Sequence, residues 1–172
     1  PALGGLNTSV NPAIIGDSQL TAADNIVLVT NGARATRYGR SKLNTTALNA
    51  AAKILHIVDF FLANGNQKTV VKAGAKYYAD TDGDGVFADI TGAAVISSTS
   101  LITTEIINNK LIICSTGEAP YIYTQTGNIA LLGGTPPNGK FCRVHLGRLW
   151  SAGVSSAKYR LYYSQAFDPE QW

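Results

Sequence analysis

The run Asp80-Thr81-Asp82-Gly83-Asp84-Gly85 holds the side chains best suited to chemistry. Carboxylates at the first, third and fifth positions, with Gly at the sixth, are how a loop gathers hard oxygen ligands around calcium. The twelfth position is Thr91 rather than a bidentate Glu, and the next carboxylate, Asp89, falls at the tenth. The set Asp80, Asp82 and Asp84 is therefore incomplete for an EF-hand. A polar hairpin turn with solvated aspartates is the favoured reading, and calcium the sharper one. No other cofactor is implied.

Arg34, Arg37, Arg40 and Lys42 form the one dense basic run. It suits contact with DNA phosphates, which would be sequence-independent and salt-sensitive. A solvated hairpin or a subunit contact is the favoured alternative. The net charge of +3 is too small to argue for nucleic acid by itself. Cys142 and His145 lie three apart, which on a strand sends them to opposite faces and out of hydrogen-bond reach. His56 sits in an apolar run and reads as a packed histidine. Asp168 and Glu170 flank Pro169, with no second loop to pair them as a glycosidase acid and base. Nucleophile-elbow, zinc-protease and phosphate-loop patterns are absent. No catalytic residue is expected, and the chain reads as a non-enzyme.

The elements around these residues are strands. Lys110 to Ser115, a turn at Gly117 and Tyr121 to Tyr123 recur as Arg148 to Gly153 and Arg160 to Ser164, displaced by 38 and 39 residues. Thr69 to Gly74 with Lys76 to Ala79 is an earlier copy. A strand-only repeat of about 40 residues is the signature of propeller blades. Lys53 to Ala63 is ambiguous in its spacing, but its β-branched and aromatic residues favour a strand. Thr45 to Ala52 reads as a helical turn or two. Phe141 to Leu146 alternates, with Cys142, Val144 and Leu146 on one face and Phe141, Arg143 and His145 on the other.

Before the repeat, residues 1 to 24 are rich in Gly, Asn, Ser and Pro and read as an extended arm. Asn25 to Val29, Asn31-Gly32 and Ala33 to Tyr38 read as a hairpin. The expected class is mainly β: an N-terminal arm and hairpin over 1–44, then propeller-like antiparallel blades over 45–172. Three blades are too few to close a propeller. The expectation is an incomplete one, continued by a longer chain or paired at its edges with other subunits.

Charged residues are only 15%, against the usual quarter, so much of the surface is expected to be covered by neighbours. The two cysteines, Cys114 and Cys142, lie in apolar runs and read as buried free thiols, fitting a reducing cytosol. No apolar run is long enough for a membrane-spanning helix, and residues 1–20 do not resemble a signal peptide.

Four stretches carry a resemblance: Gly4-Gly5-Leu6-Asn7-Thr8; Asn25-Ile26-Val27 through Arg37-Tyr38-Gly39 and Lys42-Leu43; Gly134-Thr135-Pro136-Pro137 through Ala152-Gly153; and Leu161-Tyr162-Tyr163-Ser164 with Asp168 to Trp172. In order and spacing they resemble the β-propeller tail proteins of short-tailed bacteriophages, the nozzle, tail-tubular or packaged-DNA-stabilising type. The Ala-rich Thr46 to Ala52 and the acidic loop at Asp80 depart from that pattern. The resemblance implies a structural virion protein of the tail, assembled in the host cytoplasm. It implies a homo-oligomeric ring, a hexamer, around the DNA exit channel, docked on an adaptor or connector and other tail proteins. It also implies a chain running past Trp172. A receptor- or carbohydrate-binding tail module is the alternative, to which Trp150, Tyr159, Tyr162, Tyr163, Phe167 and Trp172 could contribute stacking rings.

Overall fold

The computed structural model describes residues 41–172 throughout, and before them residues 7, 9, 11–14, 16, 19, 26–28 and 34–36. The chain divides into two compact units, Pro1–Lys42 and Leu43–Trp172.

In the first unit, β1 (Ile26–Leu28) pairs antiparallel with β2 (Arg34–Thr36), Ile26 opposite Thr36. The Asn31-Gly32 expected to turn this hairpin lies outside the described residues. Within the arm, Pro12–Ile14 makes one 3-10 turn. Asn11 Oδ1 accepts the Ala13 N–H there at 2.9 Å, as a short polar side chain does when it competes for the backbone.

The second unit is built of three antiparallel meanders. The first contains β3 (Ile54–Phe61), β4 (Gln67–Ala73), β5 (Lys76–Asp80) and β6 (Ala88–Asp89), side by side in chain order. The second contains β7 (Ile102–Ile107), β8 (Lys110–Ser115), β9 (Tyr121–Tyr123) and β10 (Ala130–Leu131). The third contains β11 (Phe141–His145), β12 (Arg148–Ala152) and β13 (Leu161–Tyr163). The three copies read in the sequence are the second and third strands of these sheets.

Strand β8 explains the packing. Leu111 and Ile113 point one way, Ile112 and Cys114 the other, and all four are buried. The first pair joins Phe60, Val70, Tyr77 and Ala79 of the first sheet in one apolar layer. The second pair joins Cys142 and Leu149 of the third sheet in another. A strand buried on both faces reads as a continuous apolar run, as Leu111-Ile112-Ile113-Cys114 does. Each such side chain contributes roughly 1.5–3 kcal/mol by leaving water.

The leading strands lie next to one another across the sheets. His56 Nε2 on β3 is 3.1 Å from Thr104 Oγ1 on β7. Thr103 and Glu105 on β7 in turn bond to β11. At the other side of the first two sheets, the Ile129 N–H donates to Ile90 O at 2.8 Å.

Two expectations need correction. Leu146 is not on the buried face of β11. It shares a two-residue turn with Gly147 at φ 48° and 71°, and its side chain is exposed. Such left-handed pairs match the twist of a hairpin, and Asn108-Asn109 forms the same turn 38 residues earlier at φ 49° and 59°. Nor is Thr45 to Ala52 regularly helical. Leu48–Ala51 is one 3-10 turn, with Asn49 and Ala50 in left-handed conformation. Asn49 is held there because its Nδ2 donates to Ala73 O at 2.9 Å and its N–H to Tyr78 Oη at 3.1 Å. This segment covers the outer face of the first sheet.

Candidate functional site

Asp80 ends β5 and turns its carboxylate into the loop that follows. It is only 3% exposed. Its Oδ1 accepts the N–H of Gly83 at 2.8 Å and of Asp82 at 3.4 Å, and Oδ2 accepts that of Gly85 at 3.0 Å. Burial alone would push this carboxyl up. The three backbone donors outweigh it and hold the group below its ordinary range. Gly85 is required: at φ +82° a Cβ would sit 2.2 Å from Leu43 O.

Carboxylate oxygens of Asp80, Asp82 and Asp84 lie within 4.8 Å of one another, so the loop does bring the three sequence-identified residues together. Asp82 and Asp84 are exposed, and Asp84 Oδ1 also accepts the Val86 N–H at 2.7 Å. Beside them opens a cleft of about 630 Å³, lined by Leu43, Gly65 to Gln67, Thr69 and Asp80 to Gly83. Neither later candidate ligand joins the cluster. Asp89 pairs with Lys76 Nζ at 2.7 Å, and Thr91 Oγ1 accepts the Tyr77 N–H at 2.9 Å. What the loop offers a cation is three carboxylates, the innermost already bound to the backbone.

Of the basic run, Arg34 lies on β2 and Lys42 is exposed, while Arg37 and Arg40 lie outside the described residues. Cys142 and His145 do not meet. The Cys142 thiol is buried, 3.4 Å from Thr103 Oγ1 and against the Cys114 thiol, whereas His145 is exposed on the opposite face. Both cysteines are free thiols. The late aromatics fall into separate places. Trp172 packs on the inner layer, Phe167 lies exposed over the Gly147 turn, and Trp150 and Tyr163 share the outer face of the third sheet.

Two features escaped sequence reasoning. Lys72, in the apolar run Val70-Val71-Lys72-Ala73, is wholly buried, and its Nζ donates to Ser100 O at 2.7 Å. Desolvation lowers its pKa, partly offset by Glu118. The same burial, with Lys72 close by, lowers that of His56. The second feature is an apolar groove of about 510 Å³ beside β10, lined by Ala93 to Val95, Tyr121 and Ile129 to Leu131. Val95 and Leu131 stand exposed at it. Its only sequence signal is the run Ile129 to Leu132.

No family model matches this sequence, and no curated protein matches it. Among the described residues no helix is long and apolar enough to cross a membrane.

Proposed function

We propose that the chain is a structural subunit of a bacteriophage tail, a nozzle-like component whose copies form a ring around the DNA exit channel. Its three meanders are read as an open arc of propeller blades fanned about β3, β7 and β11. Support for the arc comes from the side-by-side leading strands and from the two apolar layers between successive sheets. Support for the tail comes from the four stretches that resemble such proteins.

The observation that carries assembly is the groove at β10. Strand β10 is a two-residue edge with exposed Leu131, and an apolar edge of this kind invites a partner. The occupant is a neighbouring copy or an adjoining tail protein. No acid–base pair or nucleophile is assigned, so the chain acts by holding shape. A cation among Asp80, Asp82 and Asp84 is read as a clasp on a hairpin, not as a reaction centre.

Mass measurement across concentration tests this. The unaltered chain is expected to form a defined oligomer, and Leu131→Asp with Val95→Asp to dissociate it without unfolding. A unaltered chain that stays monomeric, or an oligomer indifferent to both substitutions, contradicts the reading.

A further inference from the structure

The outer face of the third sheet differs in chemistry from every other sheet surface in Leu43–Trp172. Register places Phe141 opposite Ala152 and Leu161, Arg143 opposite Trp150 and Tyr163, and His145 opposite Arg148. All of these share one face, because directly paired residues point the same way. The other face, with Cys142 and Leu149, is the one buried against the second sheet. The two inner layers are made of aliphatic side chains with Phe60, tyrosines and the two cysteines, and Lys72 is the one buried cation among the described residues. The outer face instead alternates rings with guanidinium groups.

The rings are presented rather than packed away. Phe141 is 50% and Tyr163 54% exposed. Trp150 and Tyr163 lie 5.0 Å apart, tilted at 43°, and Phe141 stands diagonally across from Trp150 at about 7 Å by ordinary sheet geometry. Cations flank them. Arg148 lies 5.2 Å from the Tyr163 ring and Lys140 5.1 Å from Phe141. The Arg143 side chain is 82% exposed, with one nitrogen bonded to Glu105 at 2.8 Å. Charge is strongly asymmetric. Between Ala119 and Phe167 the chain has five Lys and Arg residues and no Asp or Glu, whereas the whole chain nets +3. Of the nearby carboxylates, Glu105 pairs with Arg143 of this face and accepts the Val144 N–H, Glu170 is held by Lys110, and Asp168 accepts the Glu170 N–H.

We propose that this face binds single-stranded nucleic acid. Bases would stack on Phe141, Trp150 and Tyr163, and phosphates would lie against Lys140, Arg143 and Arg148. Stacking on aromatics combined with a cationic track is the sequence-tolerant way to hold a single strand. A duplex cannot use the rings, because its bases are already stacked on one another. A glycan fits less well, since the face carries no Asn, Gln, Asp or Glu to accept bonds from hydroxyls. A further sheet of the inner type would have to bury two guanidinium groups, Arg143 held by one carboxylate and Arg148 by one carbonyl, at a large desolvation cost. The site shares no residue with the groove at β10 or with the basic run ending at Lys42, so it does not depend on the assembly reading.

Fluorescence anisotropy with a labelled oligothymidylate of about 16 nucleotides tests it on the full chain, alongside the matching duplex. The single strand is expected to bind more tightly than the duplex, to quench tryptophan emission, and to weaken steeply between about 50 and 200 mM salt. Tyr163→Ala and Lys140→Glu should each weaken binding, the former by roughly tenfold, while Tyr163→Phe keeps the ring and the affinity. Melting curves establish that each variant is folded. The absence of binding at low salt overturns the proposal. So does equal affinity for the duplex with no effect of Tyr163→Ala, which would be bare polyanion attraction. So does binding that Lys42→Glu abolishes and Lys140→Glu leaves intact, or a face found covered by another copy of the chain.

Discussion

The hydroxyl of Thr103 on β7 joins the second sheet to the third through Cys142 on β11. Thr103 Oγ1 accepts the Cys142 N–H at 3.1 Å and donates to Lys140 O at 3.1 Å. One side chain thus completes two backbone groups of the next sheet, at an edge where no ladder runs. Removing it leaves both without that partner. Thr103→Val is expected to cost about 1–3 kcal/mol, and Thr103→Ser much less, read from urea unfolding midpoints. A Val variant as stable as the unaltered chain would show that the splice contributes nothing.

Acid should expose the role of Asp80. Its folded carboxyl titrates below the ordinary value of 3.8, so its contribution is complete above that value and is lost as pH falls through the lower folded one. Asp80→Asn keeps one acceptor and loses the charge. The variant is expected to be about 1–3 kcal/mol weaker at neutral pH, with the gap closing as pH falls below 3.8 through the lowered folded value. A gap that does not change with pH would assign the loss to shape rather than charge.

Calcium should steady the same loop. Three crowded carboxylates without a bidentate fourth ligand suit the weak range, with a Kd of about 10⁻⁴–10⁻³ M. At about ten times that concentration the gain is about 1.4 kcal/mol, a rise of a few degrees in Tm for a unit of this size. Magnesium should do less, and Asp82→Asn should remove the effect. An unchanged Tm in calcium, with no heat by calorimetry, retires the site.

The buried thiols should be inert until the chain unfolds. Donation from the Cys114 thiol to Cys142, together with burial, pushes the Cys114 thiol up, away from the reactive thiolate. A thiol reagent is expected to find none in the native chain and two after denaturation. Rapid native labelling of either would mean that the layer between the second and third sheets opens readily.

Much of the strand pattern was legible because burial on both faces leaves a plain mark. Leu111-Ile112-Ile113-Cys114 and Val70-Val71 could belong nowhere but between layers. The Ile54 to Phe61 strand followed from its β-branched and aromatic residues against an uninformative period. Leu146 was misplaced because alternation does not say where a strand stops. A bulky residue in a left-handed turn is set by the twist of its hairpin, not by its own preference. The bend at Asn49 was hidden because a contact 24 residues away, at Ala73 O, holds it. The Asp80 loop was legible as a cluster, since its residues are consecutive. The outer face of the third sheet was not, because Phe141, Trp150 and Tyr163 meet only once register is known.

On the reading proposed above, blade-like sheets of several copies assemble into a ring. Electron microscopy of the purified chain tests it most directly. Closed rings of uniform symmetry with a central opening are expected, hexameric as the resemblance implies. A uniform 18.2 kDa monomer at every concentration would contradict it.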